Sequence, residues 1–289
     1  MTGGWVAGTV RGKGMARRVL GADAARQLAT CRSLPEAQHL LTATSFRDAA
    51  TPGLSLAAAQ HAVAATILWD LRVLAGWLPR DGVSLLRLLA GWFEIANVDE
   101  LLQALAGRPV GPEFQLGALA TAWPRLSQAR STSELRSLLA TSAWGDPGGD
   151  SSRDIRLGLR TSWAARVAGS GDRCRAWAAA ASALLAAGEP GAPAPTAVPN
   201  IGRPGRRLSG PRRPSPTTAV PTAQPWQAEA DWWRRVEADG LALLRSAGPD
   251  SGPVLGAVAV MAADARRIRA ALELAARGGA PVEAYDAVV

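Results

Sequence analysis

The sequence predicts an all-α protein, and three observations carry that expectation. Leu and Ala dominate the 289 residues, while aromatics make up only 5%, mostly Trp, with Tyr285 the single tyrosine. These are helix formers, with few of the residue types that strands favour. Long stretches also place apolar residues at helical spacing and stop on glycine, and Ser-x-x-Glu starts mark helix N-termini. A hydrophobic fraction of 48% supplies one large core or roughly two or three small ones.

The first clear element is SLPEAQHLLTATSF, residues 33–46. Ser33 and Glu36 have the spacing of a capping box: the hydroxyl accepts from the backbone of the third helical residue, whose carboxylate reaches back. STSELRSLLATSAW, residues 131–144, repeats it at a constant offset of 98. Ser33 matches Ser131, Glu36 matches Glu134, Leu40 and Leu41 match Leu138 and Leu139, and Phe46 matches Trp144. Each copy predicts a short capped helix ending in an aromatic anchor.

A long helix follows over residues 85–106, with Leu85, Leu89, Trp92, Ile95, Ala96, Leu102 and Leu105 on one stripe and Gly107 as its stop. The C-terminal helix, residues 254–277, is built alike, with Leu255, Val258, Met261, Ala265, Ile268, Leu272 and Ala275 before Gly278 and Gly279. Setting Glu94 against Asp264 brings Asn97 onto Arg267 and Val98 onto Ile268. An acid followed at i+3 by Asn or Arg falls at the border of the apolar stripe, where it ties its helix to a neighbour. Asn97 is therefore read as a structural residue within a repeat. RAWAAAASALLAAG, residues 175–188, is a weaker third copy. Repeated units of this size predict three similar lobes, at 1–110, 111–188 and 226–289.

Between the second and third lies EPGAPAPTAVPNIGRPGRRLSGPRRPSPTTAVPTAQP, residues 189–225, with ten of the twenty prolines, five arginines and one acid. Proline at this density, without large apolar residues, predicts an extended, disordered linker. The segment carries half of the net charge of +8, so the basic balance is discounted as a sign of a nucleic-acid partner. Of 32 basic residues only Lys13 is lysine, a skew attributed to coding composition.

Several classes of function are disfavoured. The N-terminus lacks the apolar core of a signal peptide, and no run approaches the length of a spanning helix, so a soluble, cytoplasmic chain is expected. Cys31, Cys174, His39 and His61 have no neighbours at metal-ligand or disulfide spacing. GTVRGKG, residues 8–14, misses a P-loop because Ala7 stands at the first glycine and Gly14 at the hydroxyl. No motif for nucleophilic or metal catalysis is present, and no catalytic residue, cofactor or metal is expected.

Taken in order, four stretches carry a family resemblance. They are R-x-K-G-M-x-x-R-V-L (Arg11, Lys13, Gly14, Met15, Arg18, Val19, Leu20), SLPEAQHLLTATSF, LLRLLAGWFEIANVDELL and GPVLGAVAVMAADARRIRAALELAARGG. The chain resembles the central-stalk C subunit family of the bacterial and archaeal V/A-type rotary ATPases, whose eukaryotic counterpart is the d subunit. In that family the first helix carries R-x-R-G-M-x-x-R-L-L, a D-x-x-N-L segment opens the helix before a glycine, and the last lobe has G-P-x-P-V-x-A-Y followed by E-I-R-N-L-R. The likeness covers residues 5–107 and 226–289; Arg267 stands in place of the family's asparagine, and Ala259 near its tyrosine. The resemblance implies a funnel of three helical lobes that joins the shaft of subunits D and F to the membrane rotor ring, in ATP-driven ion transport or ATP synthesis. It implies a place in the cytoplasm, peripheral to the inner membrane, with membrane contact only through the ring. Arg11, Arg18, Glu94, Asn97, Asp264, Arg267 and Arg269 are its motif positions, expected to hold lobes together rather than to touch partners. Two other readings stay open: a helical scaffold of another kind, and a basic nucleic-acid-binding protein, for which Arg17 and Arg18 or Arg266, Arg267 and Arg269 are the candidate clusters outside the linker.

Overall fold

The chain is all-helical. The computed structural model describes residues 2–187, 225–246 and 248–289, and no strand occurs among them. The helices are α1 (Thr2–Ala16), α2 (Ala22–Thr30), α3 (Leu34–Leu41), α4 (Leu56–Ala75), α5 (Arg80–Leu105), α6 (Trp123–Leu126), α7 (Thr132–Ala140), α8 (Ser152–Gly169), α9 (Asp172–Ala187), α10 (Pro225–Leu244), α11 (Ser251–Ala276) and α12 (Val282–Val288), with 3-10 turns at Arg47–Ala50 and Gly117–Leu119. The expected linker, 189–225, lies outside the described residues except for Pro225, which begins α10. GTVRGKG is helical throughout, inside α1.

Both serine caps form, and each Glu reaches back to the N–H of the residue before its cap. Ser33 accepts from the Glu36 N–H and Glu36 accepts from the Arg32 N–H at 2.8 Å; Ser131 accepts from the Glu134 N–H and Glu134 accepts from the Arg130 N–H at 2.8 Å. The likeness continues past each helix. Thr44 donates to the Leu41 carbonyl and accepts from the Phe46 N–H, as Ser142 donates to Leu139 and accepts from Trp144. Buried positions keep the 98-residue offset from the preceding helix onward: Ala25 with Trp123, Leu28 with Leu126, Cys31 with Ala129, Ala37 with Leu135, Leu41 with Leu139, and Phe46 with Trp144. After the aromatic anchor the offset becomes 96. Ser55 and Ser151 cap α4 and α8, and Ala59, Val63, Leu68 and Leu71 correspond to buried Ile155, Leu159, Ala164 and Val167. The loop between anchor and cap is two residues shorter in the second copy, which resets the register without disturbing either helix pair.

α11 is the axis of the core. It packs against α1, α2, α3, α4, α10 and α12, and its buried positions run along its whole length, from Gly252 to Ala275. A helix apolar all round is stable only when surrounded. One contiguous cluster therefore joins Met15, Leu28 and Leu41 to Met261, Ile268 and Leu272, so residues from both ends of the chain share it. Small residues let the helices approach. A Cβ on Gly8 of α1 would lie 2.3 Å from the Leu78 side chain, and one on Gly256 of α11 would lie 2.5 Å from the Gly240 carbonyl of α10.

The long helices stop where expected. Gly107 adopts φ 68 after α5, with the Arg108 N–H bonded to Gln103, and Gly279 adopts φ 85 after α11, with its own N–H bonded to Leu274. One stripe residue differs from expectation: Trp92 is 46% exposed. The contact of α5 with α8 runs through Leu88, whose carbonyl accepts the Trp163 indole N–H, Gly91, which lies against Trp163, and Asp99, paired with Arg156; Trp92 tilts against Trp163 at 5.6 Å while remaining exposed.

Candidate functional site

The polar residues of this core build ties between helices and backbone. Glu94 lies in the middle of α5 and is 1% exposed. Its carboxylate accepts three hydrogen bonds, from the N–H of Thr121 at 2.5 Å, the N–H of Ala122 at 2.8 Å and the indole N–H of Trp144 at 2.7 Å. The two amides stand at the start of α6, where no intrahelical acceptor is available. Glu94 thus caps a short helix 28 residues downstream and pins the aromatic anchor of the next capped helix.

Asn97, one turn further, makes a two-way pair with a single residue: its amide donates to the Phe114 carbonyl at 2.9 Å, and its oxygen accepts the Phe114 N–H at 2.8 Å. Glu100 then accepts the Gly111 N–H at 2.7 Å. Residues 94, 97 and 100 share one face of α5. They fasten the irregular segment 106–122 antiparallel to the helix. Phe114 is further gripped by His61, stacked at 4.2 Å, and by Phe93, edge-on at 5.2 Å. Burial pushes the His61 imidazole below its ordinary range, with Glu100 drawing it back up.

Asp264, fully buried in α11, plays for α2 the part that Glu94 plays for α6. It accepts the N–H groups of Leu20 and Gly21, each at 2.8 Å. Gly21 sits at φ 86, a left-handed conformation that turns its amide toward the carboxylate before α2 begins. Burial pushes the Asp264 carboxyl above the usual carboxylate range, and the two backbone donors pull it back. The sequence pattern places Glu94 and Asp264 at the border of their apolar stripes; both instead occupy the buried face itself. Backbone amides supply the donors that make that burial tolerable.

The other motif positions do not join these ties. Arg267 pairs with Glu237 of α10, and its carbonyl accepts the phenol of buried Tyr285 at 3.3 Å. Arg269 is exposed, and its carbonyl accepts the Gln60 side-chain N–H at 3.2 Å. Arg11 and Arg18 are exposed beside half-buried Asp70, whose carboxyl burial raises while Arg18 and Arg11 draw it down. The seven residues therefore form three separate groups, on α5, on α11 and along α1. An open cleft of about 620 Å³, lined by Trp5, Asp81, Leu85, Ser170, Asp172 and Leu255 among others, contains none of them.

Sequence reasoning missed Glu100, Phe114, Glu237 and the role of the Trp144 indole. The spacing of Glu94, Asn97 and Glu100 by three was a usable signal; their partners lie in irregular backbone, which has no sequence period. Neither Cys31 nor Cys174 is in a disulfide, and both are buried. Among the described residues no group of three His, Cys, Asp or Glu side chains is placed to hold a metal ion, and no helix is long and apolar enough to cross a membrane. No protein family matches the chain, and no curated protein matches it in sequence.

Proposed function

We propose that the chain is a non-catalytic adaptor of the central stalk of a V/A-type rotary ATPase, joining the shaft of subunits D and F to the membrane rotor ring. The reading rests on the order of the four motif stretches, and one structural observation supports it above others. The buried ionisable groups of the two long helices, Glu94 and Asp264, have their oxygens occupied by backbone and indole donors, leaving them committed to holding helices in register. A part that transmits torque needs that stiffness, and needs no reactive group. Three helical lobes around a funnel, a cytoplasmic position beneath the shaft, and contact with the bilayer only through the ring belong to the same proposal.

The test is co-purification. Tagged protein, expressed with shaft subunits and detergent-solubilised ring of a V/A-type enzyme from the same source, retains both without added nucleotide or metal. Failure to retain either, with all components folded, removes the coupling role and leaves a helical scaffold of another kind.

A further inference from the structure

Several arginines pair with a nearby acid. Arg26 pairs with Asp23 and Asp286, Arg136 with Asp146, Arg156 and Arg160 with Asp99, Arg234 with Asp231, and Arg277 with Glu273. The C-terminal half of α1 and the residues just after it hold a cluster of cations without such pairs. Arg11, Lys13, Arg17 and Arg18 enter no ion pair among the described residues, α1 itself contains no acid, and Lys13 spends one donor on the Ser246 carbonyl. Asp70 is the acid that Arg11 and Arg18 feel, and it is half-buried. One or two cations suffice to complement the negative end of a helix dipole; four unpaired ones leave a surplus.

The same helix exposes apolar side chains. Gly4, Gly8 and Gly12 face inward against Pro79, Leu78 and Ala257, so the opposite face carries Gly3, Val6, Val10 and Gly14. Val6 is 46% and Val10 67% exposed, and nothing stands within 4 Å of a Cβ built on Gly3 or Gly14. Aliphatic surface bordered by unpaired cations suits an anionic lipid surface, whose negative potential draws Lys and Arg to it. Nucleic acid would use the cations and leave the two valines in water.

We propose that the outer face of α1 rests on an anionic membrane surface, with Val6 and Val10 at headgroup depth and Arg11, Lys13, Arg17 and Arg18 on lipid phosphates or carboxylates. This is a direct contact, distinct from attachment through a ring, and it does not depend on the adaptor reading: the isolated chain shows it without other subunits.

The experiment is sedimentation of the full chain with phosphatidylcholine vesicles, with and without phosphatidylserine, at low and high salt. Binding is expected only with phosphatidylserine and is lost at high salt. The double variant Arg17→Glu/Arg18→Glu lowers the partition coefficient about tenfold or more, and Val10→Asp lowers it as well. All of these side chains are exposed, and circular dichroism checks that the variants stay folded. Equal binding to both vesicle types overturns the proposal, as does binding that survives the arginine variant and so belongs to arginines elsewhere, such as Arg203 to Arg213. An unchanged Val10→Asp protein overturns the placement of the valines, and preferential binding of duplex DNA over vesicles replaces the membrane with nucleic acid.

Discussion

Asp264 on α11 accepts the backbone N–H of Leu20 at 2.8 Å, across 244 residues of sequence. Together with the Gly21 bond it closes the chain on itself: the C-terminal long helix supplies to α2 the cap that α5 supplies to α6. Asp264→Ala leaves two buried donors without acceptors and should cost about 1–3 kcal/mol for each one left unsatisfied. Denaturant unfolding followed by circular dichroism reads this directly, and a loss under about 0.5 kcal/mol, the usual range of surface changes, rules out the closure.

The same residue has a pH signature. Its folded-state pKa is raised, so the folded form holds the Asp264 proton more tightly than the unfolded chain, whose carboxyl titrates near ~3.9. The contribution of this group to stability is therefore flat above the folded pKa and increases as pH falls from there to the unfolded value. Asp264→Asn removes the titration. The natural protein should gain stability relative to that variant on acidification from neutrality; a constant difference shows that the two backbone donors fully offset the burial.

Ser33 and Ser131 are N-caps with identical roles. Replacing either with Ala should cost about 0.5–2 kcal/mol, and replacing it with Asp should cost little, because a carboxylate accepts the same amide and suits a helix N-terminus. Equal losses from Ala and Asp at either site contradict the cap.

Trp144 donates its indole N–H to Glu94 and lies beneath the Arg166 guanidinium at 5.1 Å. Trp144→Phe should destabilise by about 1–3 kcal/mol, since a buried carboxylate loses one of its donors. In a double-mutant cycle with Glu94→Gln, the coupling should reach about 0.5–3 kcal/mol. Additive losses would mean that the indole fills space and does nothing for the carboxylate. The matching position in the first copy is Phe46, and there the carboxylate is the shorter Asp264, held by backbone donors.

Asn97 satisfies both the donor and the acceptor of Phe114, so a change to Asp keeps one bond and turns the other into a buried repulsion between oxygens. Asn97→Asp should be at least as harmful as Asn97→Ala, each costing about 1–3 kcal/mol. Amide hydrogen exchange at Phe114 and Gly111 should accelerate in both variants. Unchanged protection would show that the stacked His61 and Phe93 rings hold the segment unaided.

The features read from the sequence divide by how far their partners lie. The caps at Ser33 and Ser131, the glycine stops at Gly107 and Gly279, and the 98-residue repeat were legible because each depends on bonds spanning three to five residues. Such bonds leave their spacing in the sequence. Glu94, Asn97 and Asp264 stood out as polar residues in apolar helices, so their structural character was legible too. Their partners were not. Periodicity names the face a helix buries but not the neighbour it meets, and Leu20, Phe114 and Thr121 are ordinary residues whose backbone, not side chain, makes the contact. Only the tertiary structure decided that α11 is the axis surrounded by the first four helices, that Trp92 meets Trp163 of α8 yet stays exposed, and that α1 presents its cations and valines outward. Those outcomes follow from how closely helices approach at Gly8, Gly91 and Gly256, a property of pairs of surfaces that no single stretch of sequence contains.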